Sequence, residues 1–546
     1  MTPPRPHENL SAMSTSSNAL SARTWGLMSG IVYIVLRQVH HWRLERGALS
    51  DGGLLSYDSF YQFAFMQELL RNDAWIYFRN PFGSLDQEPL LFNLYASLLL
   101  LLQAHHFNSL YFFDVLLGTA GVTLGSYYLV RLLSPNSWQV MALTLFGSGC
   151  AYIFMEGRLL DQSEVIYGGG SWGLTYLINQ LSTPEIIYHL IFFFGAYYLL
   201  VKPHDLTVVG VTILLIFLHP FTGATFFAFV GSSFAFHLWR QKSLRNKRTR
   251  LFLLCGLFVT IGALVFQHML PSISKDAAFF QSMYRTHSFT VPPHLYLFFL
   301  ALPILFIALA IFLLTKEDLK SIVLNETFFV FILTSFFCLA LGLVGHLGLE
   351  VVQPAHWTRA YPFVFLFGAA GMMMQKIEPK FSVLIGRLLS VSLLISFSDQ
   401  ALAVYNVSEE QLYHQRSPAT VTDDDVEILN ILKAQPSSSL AYFRSCQNKQ
   451  TIGDLEYFFL ARTHHRAHFG HVYFSPHLHH LGDAFRICDT SPTPSSLKLT
   501  KVGHFVIFDS SVREMVMNQF SLEIKYEGHR RGLGVVTAAI HEGPLQ

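Results

Sequence analysis

Long apolar runs separated by short polar ones fill most of the first 400 residues. About 20 apolar residues carry a helix across a bilayer core roughly 30 Å thick. Stretches at or near that length lie at 25–39, 108–130, 138–156, 185–201, 206–219, 221–239, 251–270, 294–315, 328–348, 358–375 and 381–401. Pro220 divides the 206–239 run and predicts two short spans, because proline removes a helical donor and clashes with the preceding turn. Residues 88–104 form a shorter apolar stretch that starts at Pro89. Some 10–12 spans are expected on this count, a mostly α polytopic membrane helix bundle.

The pattern changes after about residue 405. Helix-like stretches at 424–433, 452–462 and 512–520 alternate with β-rich ones at 440–443, 468–474, 504–508, 522–526 and 535–539. Such alternation predicts a small α/β layer domain. The organisation expected is therefore a disordered, Pro- and Ser-rich N-terminus over 1–20, a transmembrane domain over 21–404, and a C-terminal soluble α/β domain over 405–546. The first apolar stretch is followed by His40, His41, Trp42 and Arg43 with no small-residue cleavage site, and reads as a membrane helix rather than a removed signal peptide.

Basic residues orient the bundle, since short cytoplasmic loops are enriched in Lys and Arg. The segment 240–250 holds six basic residues and no acidic one. Counting from it puts Arg131, Lys202, 316–320 and 376–380 inside. Loops 43–107 and 157–184, loops 271–293 and 349–357, and the C-terminal domain then fall outside. The count requires 88–104 to lie along or re-enter the outer surface. Otherwise the first helix takes the opposite orientation.

Composition agrees with the pattern: 51% of residues are hydrophobic, 13% are charged and Phe occurs 50 times, against about 25% charged in a typical soluble protein. Mean hydropathy is +0.38. A net charge of +1 provides no field to recruit nucleic acid, which excludes that class of partner. Cys150, Cys255 and Cys338 lie in apolar stretches as small fillers. Cys446 and Cys488 have the opportunity to pair if the C-terminal domain is extracytoplasmic.

The candidate chemistry lies on the outer side. Asp58 sits in the apolar, aromatic run 56–65 after the first helix. Apolar surroundings disfavour the charged carboxylate and make its proton affinity tunable, as suits a general base. The other acidic residues of that loop read as a solvated face. Glu156, Arg158 and Asp161 open the second outer loop. Glu156 fits interfacial anchoring, or it converges with Asp58 and Asp161 on a divalent cation such as Mg²⁺ or Mn²⁺, which take oxygen ligands. Arg359, at the outer end of a span, is either a snorkelling cation or a bidentate phosphate ligand. His219 lies at the Pro220 break, where it faces a cavity or caps backbone carbonyls. Seven histidines at 464, 465, 468, 471, 477, 479 and 480 raise a metal hypothesis, but their spacing matches no ligand pattern, and a polar surface is expected.

These residues carry a resemblance. Tyr57-Asp58-Ser59-Phe60-Tyr61-Gln62-Phe63-Ala64, then Asn80-Pro81-Phe82-Gly83 and Glu88-Pro89-Leu90-Leu91-Phe92-Asn93, follow the first helix. His219-Pro220-Phe221-Thr222-Gly223, Arg359 with Pro362, and Phe469-Gly470-His471-Val472-Tyr473-Phe474-Ser475-Pro476 complete the set. Together they resemble the GT-C superfamily of integral membrane glycosyltransferases, in its uncharacterised bacterial type. The resemblance implies sugar transfer from a polyprenyl-phosphate-linked donor to an acceptor at the extracytoplasmic face, with inversion. Asp58 would be the base, with Arg359 on the donor phosphate and Glu156, Arg158 and His219 helping to bind substrate. It also implies a multi-pass protein among membrane lipids, in a bacterial inner membrane, serving the cell envelope. Ser59 stands where many members carry a second acidic residue, which bears on metal dependence. A transporter or flippase of a lipid-linked or amphipathic substrate, and a non-catalytic membrane assembly protein, are the alternatives. The scarcity of charge within the spans argues against transport.

Overall fold

The protein is described from a computed structural model. The structure describes residues 22–35, 107–133, 183–241, 247–273, 304–346, 361–362, 364–377, 387, 390–391, 394, 423–436, 439–443, 463, 465–467, 503–507, 520–528 and 532–539.

Apolar runs of the first 400 residues form helices because an α-helix satisfies its own backbone and leaves only side chains to be buried. They are α1 (22–35), α2 (Phe107–Leu133), α3 (Thr183–Leu200), α4 (Asp205–Leu218), α5 (Pro220–Gln241), α6 (Lys247–Ile273), α7 (Ile304–Leu313), α8 (Lys316–Val323), α9 (Glu326–His346) and α10 (Val364–Ile377, with Tyr361 and Pro362 helical just before it). The Pro220 division stands: α4 and α5 are separate helices meeting at His219. By length and composition, Val115–Leu133 and Phe221–Arg240 are long and apolar enough to cross a membrane. A third span is added if α8 and the first part of α9, bent by 75° at their junction, count as one. The stretches 88–104 and 138–156 lie outside the described residues.

These helices are apolar on their outer faces as well. Leu253, Leu254, Leu257, Ile261 and Leu264 of α6 are exposed along one side, and so are Leu27, Met28, Ile31, Ile34 and Val35 of α1. Water-facing surfaces carry such residues singly, and stripes of this kind mark contact with lipid or another apolar partner.

Association in an apolar medium depends on close packing rather than on the hydrophobic effect, so small residues line the seams. Gly26 and Gly30 of α1, one turn apart, press on α2, where a Cβ at Gly30 would collide with the Thr123 hydroxyl. Gly121 of α2 does the same against Ile186 of α3, and Gly125 packs beside Leu190 at ordinary contact distance. Farther in, Phe192 of α3 meets Phe226 and Phe229 of α5 with ring centroids 5.2 and 5.6 Å apart. Phe331 of α9 meets Phe365 of α10 at 4.9 Å.

Several polar side chains inside this core are satisfied locally. The hydroxyls of Thr212, Thr225, Ser232 and Ser335 each donate to the carbonyl four residues earlier, at 2.7–2.9 Å. At the end of the bundle that carries Arg240, Glu326 collects three helices. Ser233 Oγ donates to its Oε1 at 2.5 Å, His237 Nε2 lies 3.2 Å from Oε2, and Arg248 Nη2 lies 3.5 Å from Oε1. Arg248 also donates at 2.6 Å to the Leu199 carbonyl, one of the groups a helix end leaves without an intrahelical partner. Glu326 thus ties α5, α6 and α9 together, and Arg248 adds α3.

The chain divides into two compact units, and the second contains the α/β domain within Val407–Gln546. Its helix α11 (Asp423–Ala434) buries Ile428, Leu429 and Leu432 on one face and exposes Glu427, Asn430 and Lys433. Asp423, Asp424 and Asp425 open it, where the helix dipole favours negative charge. A five-stranded sheet follows, of β1 (Ser439–Phe443), β2 (Arg466–Ala467), β3 (His504–Ile507), β4 (Phe520–Glu527) and β5 (Gly532–Ala539), in the order β2-β1-β3-β5-β4. β1 pairs parallel with both β2 and β3, and β4–β5 is an antiparallel hairpin whose β5 joins β3. The expected strands at 440–443, 504–508, 522–526 and 535–539 fall within three residues of the bounds of β1, β3, β4 and β5. One expectation needs correction: Phe520, expected to end a helix, begins β4. The expected strand at 468–474 and helix at 452–462 lie outside the described residues.

The Gly seams generate a prediction. Gly30→Leu is expected to wedge α1 from α2 and destabilise the protein by about 1–3 kcal/mol, read as earlier thermal unfolding in detergent. Gly210→Ala, where a Cβ meets nothing within 4 Å, should not destabilise it.

Candidate functional site

His219 is the one sequence-predicted site residue that falls among the described residues. Asp58, Glu156, Arg158, Asp161 and Arg359 lie outside them, as do Cys446 and Cys488.

The helix break shapes the surroundings of His219. A chain that stops one helix and starts another leaves amide donors exposed at the new N-terminus. The His219 N–H closes α4 by donating to Leu215 O at 2.8 Å, and its carbonyl accepts from Gly223 N at 2.9 Å. Its ring then serves α5. Nδ1 accepts from Thr222 N at 3.3 Å and lies 2.8 Å from the Thr222 hydroxyl. An Nδ1 that accepts from an amide carries no proton, so the neutral ring holds its proton on Nε2. The expectation that His219 caps carbonyls is thereby corrected: its ring caps an N–H. The same device opens α4, where His204 Nδ1 accepts from Thr207 N at 3.3 Å with the Thr207 hydroxyl at 2.7 Å. The repeated His-x-x-Thr spacing was the available sequence signal for both caps.

Three residues of α3 on one helical face complete the cluster. Tyr188 stacks on His219 with centroids 4.4 Å apart and planes 9° from parallel. His189, buried, lies 4.8 Å from Tyr188 and 5.0 Å from Tyr361. Phe192 stacks on Tyr361 at 4.3 Å. The turn holding Tyr361 is fixed from α9, where Ser335 Oγ donates to the Pro362 carbonyl at 3.3 Å. The Tyr361 hydroxyl is buried and interacts with the Thr222 side chain. Two imidazoles, two phenols and a threonine hydroxyl therefore gather at the α4–α5 break, the end of α5 away from Arg240. Sequence reasoning missed Tyr188, His189 and Tyr361, which sit in apolar runs at ordinary helical spacing. Imidazole and phenol groups so arranged can hydrogen-bond a polar substrate or relay a proton.

No protein-family model matches the chain, and a search of curated proteins finds no match.

The histidine-rich segment resolves differently. Among the described residues no group of three or more His, Cys, Asp or Glu side chains is placed to hold a metal. His465, expected on a polar surface, is buried at 1% exposure. Its Nε2 lies 2.9 Å from the Leu432 carbonyl in the last turn of α11, which also accepts from Gln435 N at 3.2 Å. His504, the first residue of β3, lies edge-on to it with centroids 4.6 Å apart. The other six histidines of the segment lie outside the described residues. At the far end of α11 the Tyr526 hydroxyl of β4 donates to Asp424 at 2.9 Å. Histidine thus docks the helix C-terminus, and tyrosine its N-terminus.

Burial, with His465 beside it, pushes His504 from about 6.5 down to about 4. The folded domain holds this ring neutral while the unfolded chain binds a proton below 6.5. The unfolded state therefore binds more protons between pH 6.5 and 4, and stability present above pH 6.5 is lost as pH falls through that window. Hydrogen exchange on the full-length protein should show the amides of β1 and β3 losing protection over that range. His504→Phe should flatten the loss, and an unchanged pH profile in that variant would refute the assignment.

Proposed function

We propose that the protein is an integral membrane glycosyltransferase that moves a sugar from a polyprenyl-phosphate-linked donor to an acceptor at the extracytoplasmic face, with inversion. The observation that carries the reading is the polar cluster at the α4–α5 break. It gathers His219, His189 and Tyr361 at the end of α5 away from the basic run 240–250, and Tyr361 follows Arg359 by two residues. α4 has 14 residues, about 21 Å of rise against an apolar thickness of about 30 Å. A helix starting from the inner surface would then end below the outer one, leaving a recess above His219. The lipid-facing stripes of α1 and α6 support a multi-pass protein, and the basic run supports a cytoplasmic inner side, with the C-terminal domain outside a bacterial inner membrane.

In this reading a lipid phosphate departs while the acceptor hydroxyl attacks the anomeric carbon from the opposite side. Asp58 takes the acceptor proton, and the Arg359 guanidinium meets charge growing on the departing phosphate. Glu156, Arg158 and His219 hold the substrates in place. Asp58, Glu156 and Asp161 together offer the oxygen donors that Mg²⁺ or Mn²⁺ would need, and that ion would neutralise phosphate charge.

The helix break also favours a second reading, a transporter or flippase, since broken helices with polar groups at the break are how such proteins hold substrate. Turnover separates the two. Purified protein in vesicles should convert a polyprenyl-phosphate sugar and an acceptor into a new glycoside. Asp58→Asn should lower that rate by about 10²–10⁴ with insertion unchanged, and EDTA should lower it if a cation takes part. Translocation of the unaltered lipid-linked sugar with no glycosidic product would establish transport instead. Full turnover by Asp58→Asn would remove Asp58 from the mechanism.

A further inference from the structure

The inner end of α5 and the start of α6 form a second site-like surface, distinct from the cluster at the helix break. Trp239 and Arg240 are exposed at the end of α5, and Lys247 and Arg250 are exposed at the start of α6. Trp239 is held in place by stacking on Phe329 of α9, with centroids 5.8 Å apart and planes 10° from parallel, while remaining 51% exposed. Arg240 lies over the Phe236 ring at 5.9 Å. Of the described carboxylates at this end, Glu326 is engaged by Arg248, His237 and Ser233, while Glu317 and Asp318 open α8 and Asp205 opens α4. Among the described residues no carboxylate pairs with Arg240, Lys247 or Arg250. The Arg248–Glu326 pair also brings the start of α6 to the α8–α9 junction. There α8 turns 75° away from α9 and exposes Lys316 and Lys320 while burying Ile322. A helix that leaves the bundle sideways, with one buried apolar residue and exposed charges, is suited to lie along an interface.

We propose that Trp239, Arg240, Lys247 and Arg250 bind the headgroups of anionic phospholipids on the cytoplasmic side of the membrane. The chemistry is that of an exposed amphipathic indole together with three exposed cations that no described carboxylate pairs. Indole rings settle at the membrane–water interface, and each cation near an anionic surface strengthens binding about fivefold. The surface would hold α5 and α6 at a fixed depth, and thereby the helix break at their outer side. The proposal rests on the membrane placement of α5 and α6 and not on the transferase reading, so a protein that transports rather than transfers would keep it.

The test is lipid competition on the full-length protein by native mass spectrometry, with phosphatidylglycerol against phosphatidylcholine of matched chains. The wild type is expected to retain phosphatidylglycerol at least about tenfold over phosphatidylcholine, with the preference falling as salt is raised. The triple variant R240Q/K247Q/R250Q is expected to lose the preference while keeping its thermal unfolding temperature. The variant R240K/R250K, which keeps the charge, is expected to retain it, and this arm holds even if the triple variant fails to fold. Equal retention of the two lipids by the wild type, or an unchanged preference in a folded triple variant, would overturn the proposal. Displacement of phosphatidylglycerol by inorganic phosphate at matched ionic strength would also overturn it, in favour of a free-phosphate site.

Discussion

Every polar group that enters an apolar bundle must find its partner within the protein, and this constraint organises the first unit. It explains why serine and threonine hydroxyls turn back onto their own helices. It explains why Glu326 is met by an arginine, a histidine and a serine at once. Above all, it explains the α4–α5 break. A chain cannot interrupt a helix in such surroundings without supplying a cap, and His219 supplies it through its ring. The polar cluster around Tyr188, His189 and Tyr361 assembles at the point where that cap is needed. The candidate chemistry and the local structural demand therefore share one residue.

The break also shows how stability and function are coupled here. Gly223 of α5 packs against the Ile216 backbone of α4, so the two helices approach closely just beyond the turn. The Phe192–Phe226–Phe229 contacts lock α3 against α5 one turn below the cluster. Tyr361 is buried against the same Phe192. A change in the position of α10 would therefore reach His189 through one aromatic contact, and His219 through the adjacent Tyr188.

The large features of this chain were legible in its sequence. Apolar length located most of the helices, Pro220 located the break, and alternation located β1, β3, β4 and β5, while α8 falls where an inner loop was expected. What escaped was the packing that joins them. The paired glycines at 26 and 30 and at 121 and 125 carry no side chain to signal a seam, and phenylalanine-rich neighbours mask them. His465 was not separable from its six neighbours, because density of one residue type does not say which member turns inward. Glu326 was not singled out, because its role depends on Ser233, His237 and Arg248, which sequence distance hides. Of the residues chosen for chemistry, His219 is placed by the structure, and its neighbours add the partners that spacing alone did not supply.

The sheet of the second unit has a consequence for the order of events during synthesis. Leu440 of β1 pairs in parallel with His504 of β3, and β3 in turn needs β5 at its other edge. Parallel pairs form only after the intervening chain has been made. β1 can meet β2 soon after it is made, but its other edge must wait for β3, and β3 for β5. If the domain is exported as it is made, it crosses the membrane as an open chain and closes its sheet on the far side, with the last strand as the trigger. Folding of this domain is then timed by the completion of translocation rather than by its start.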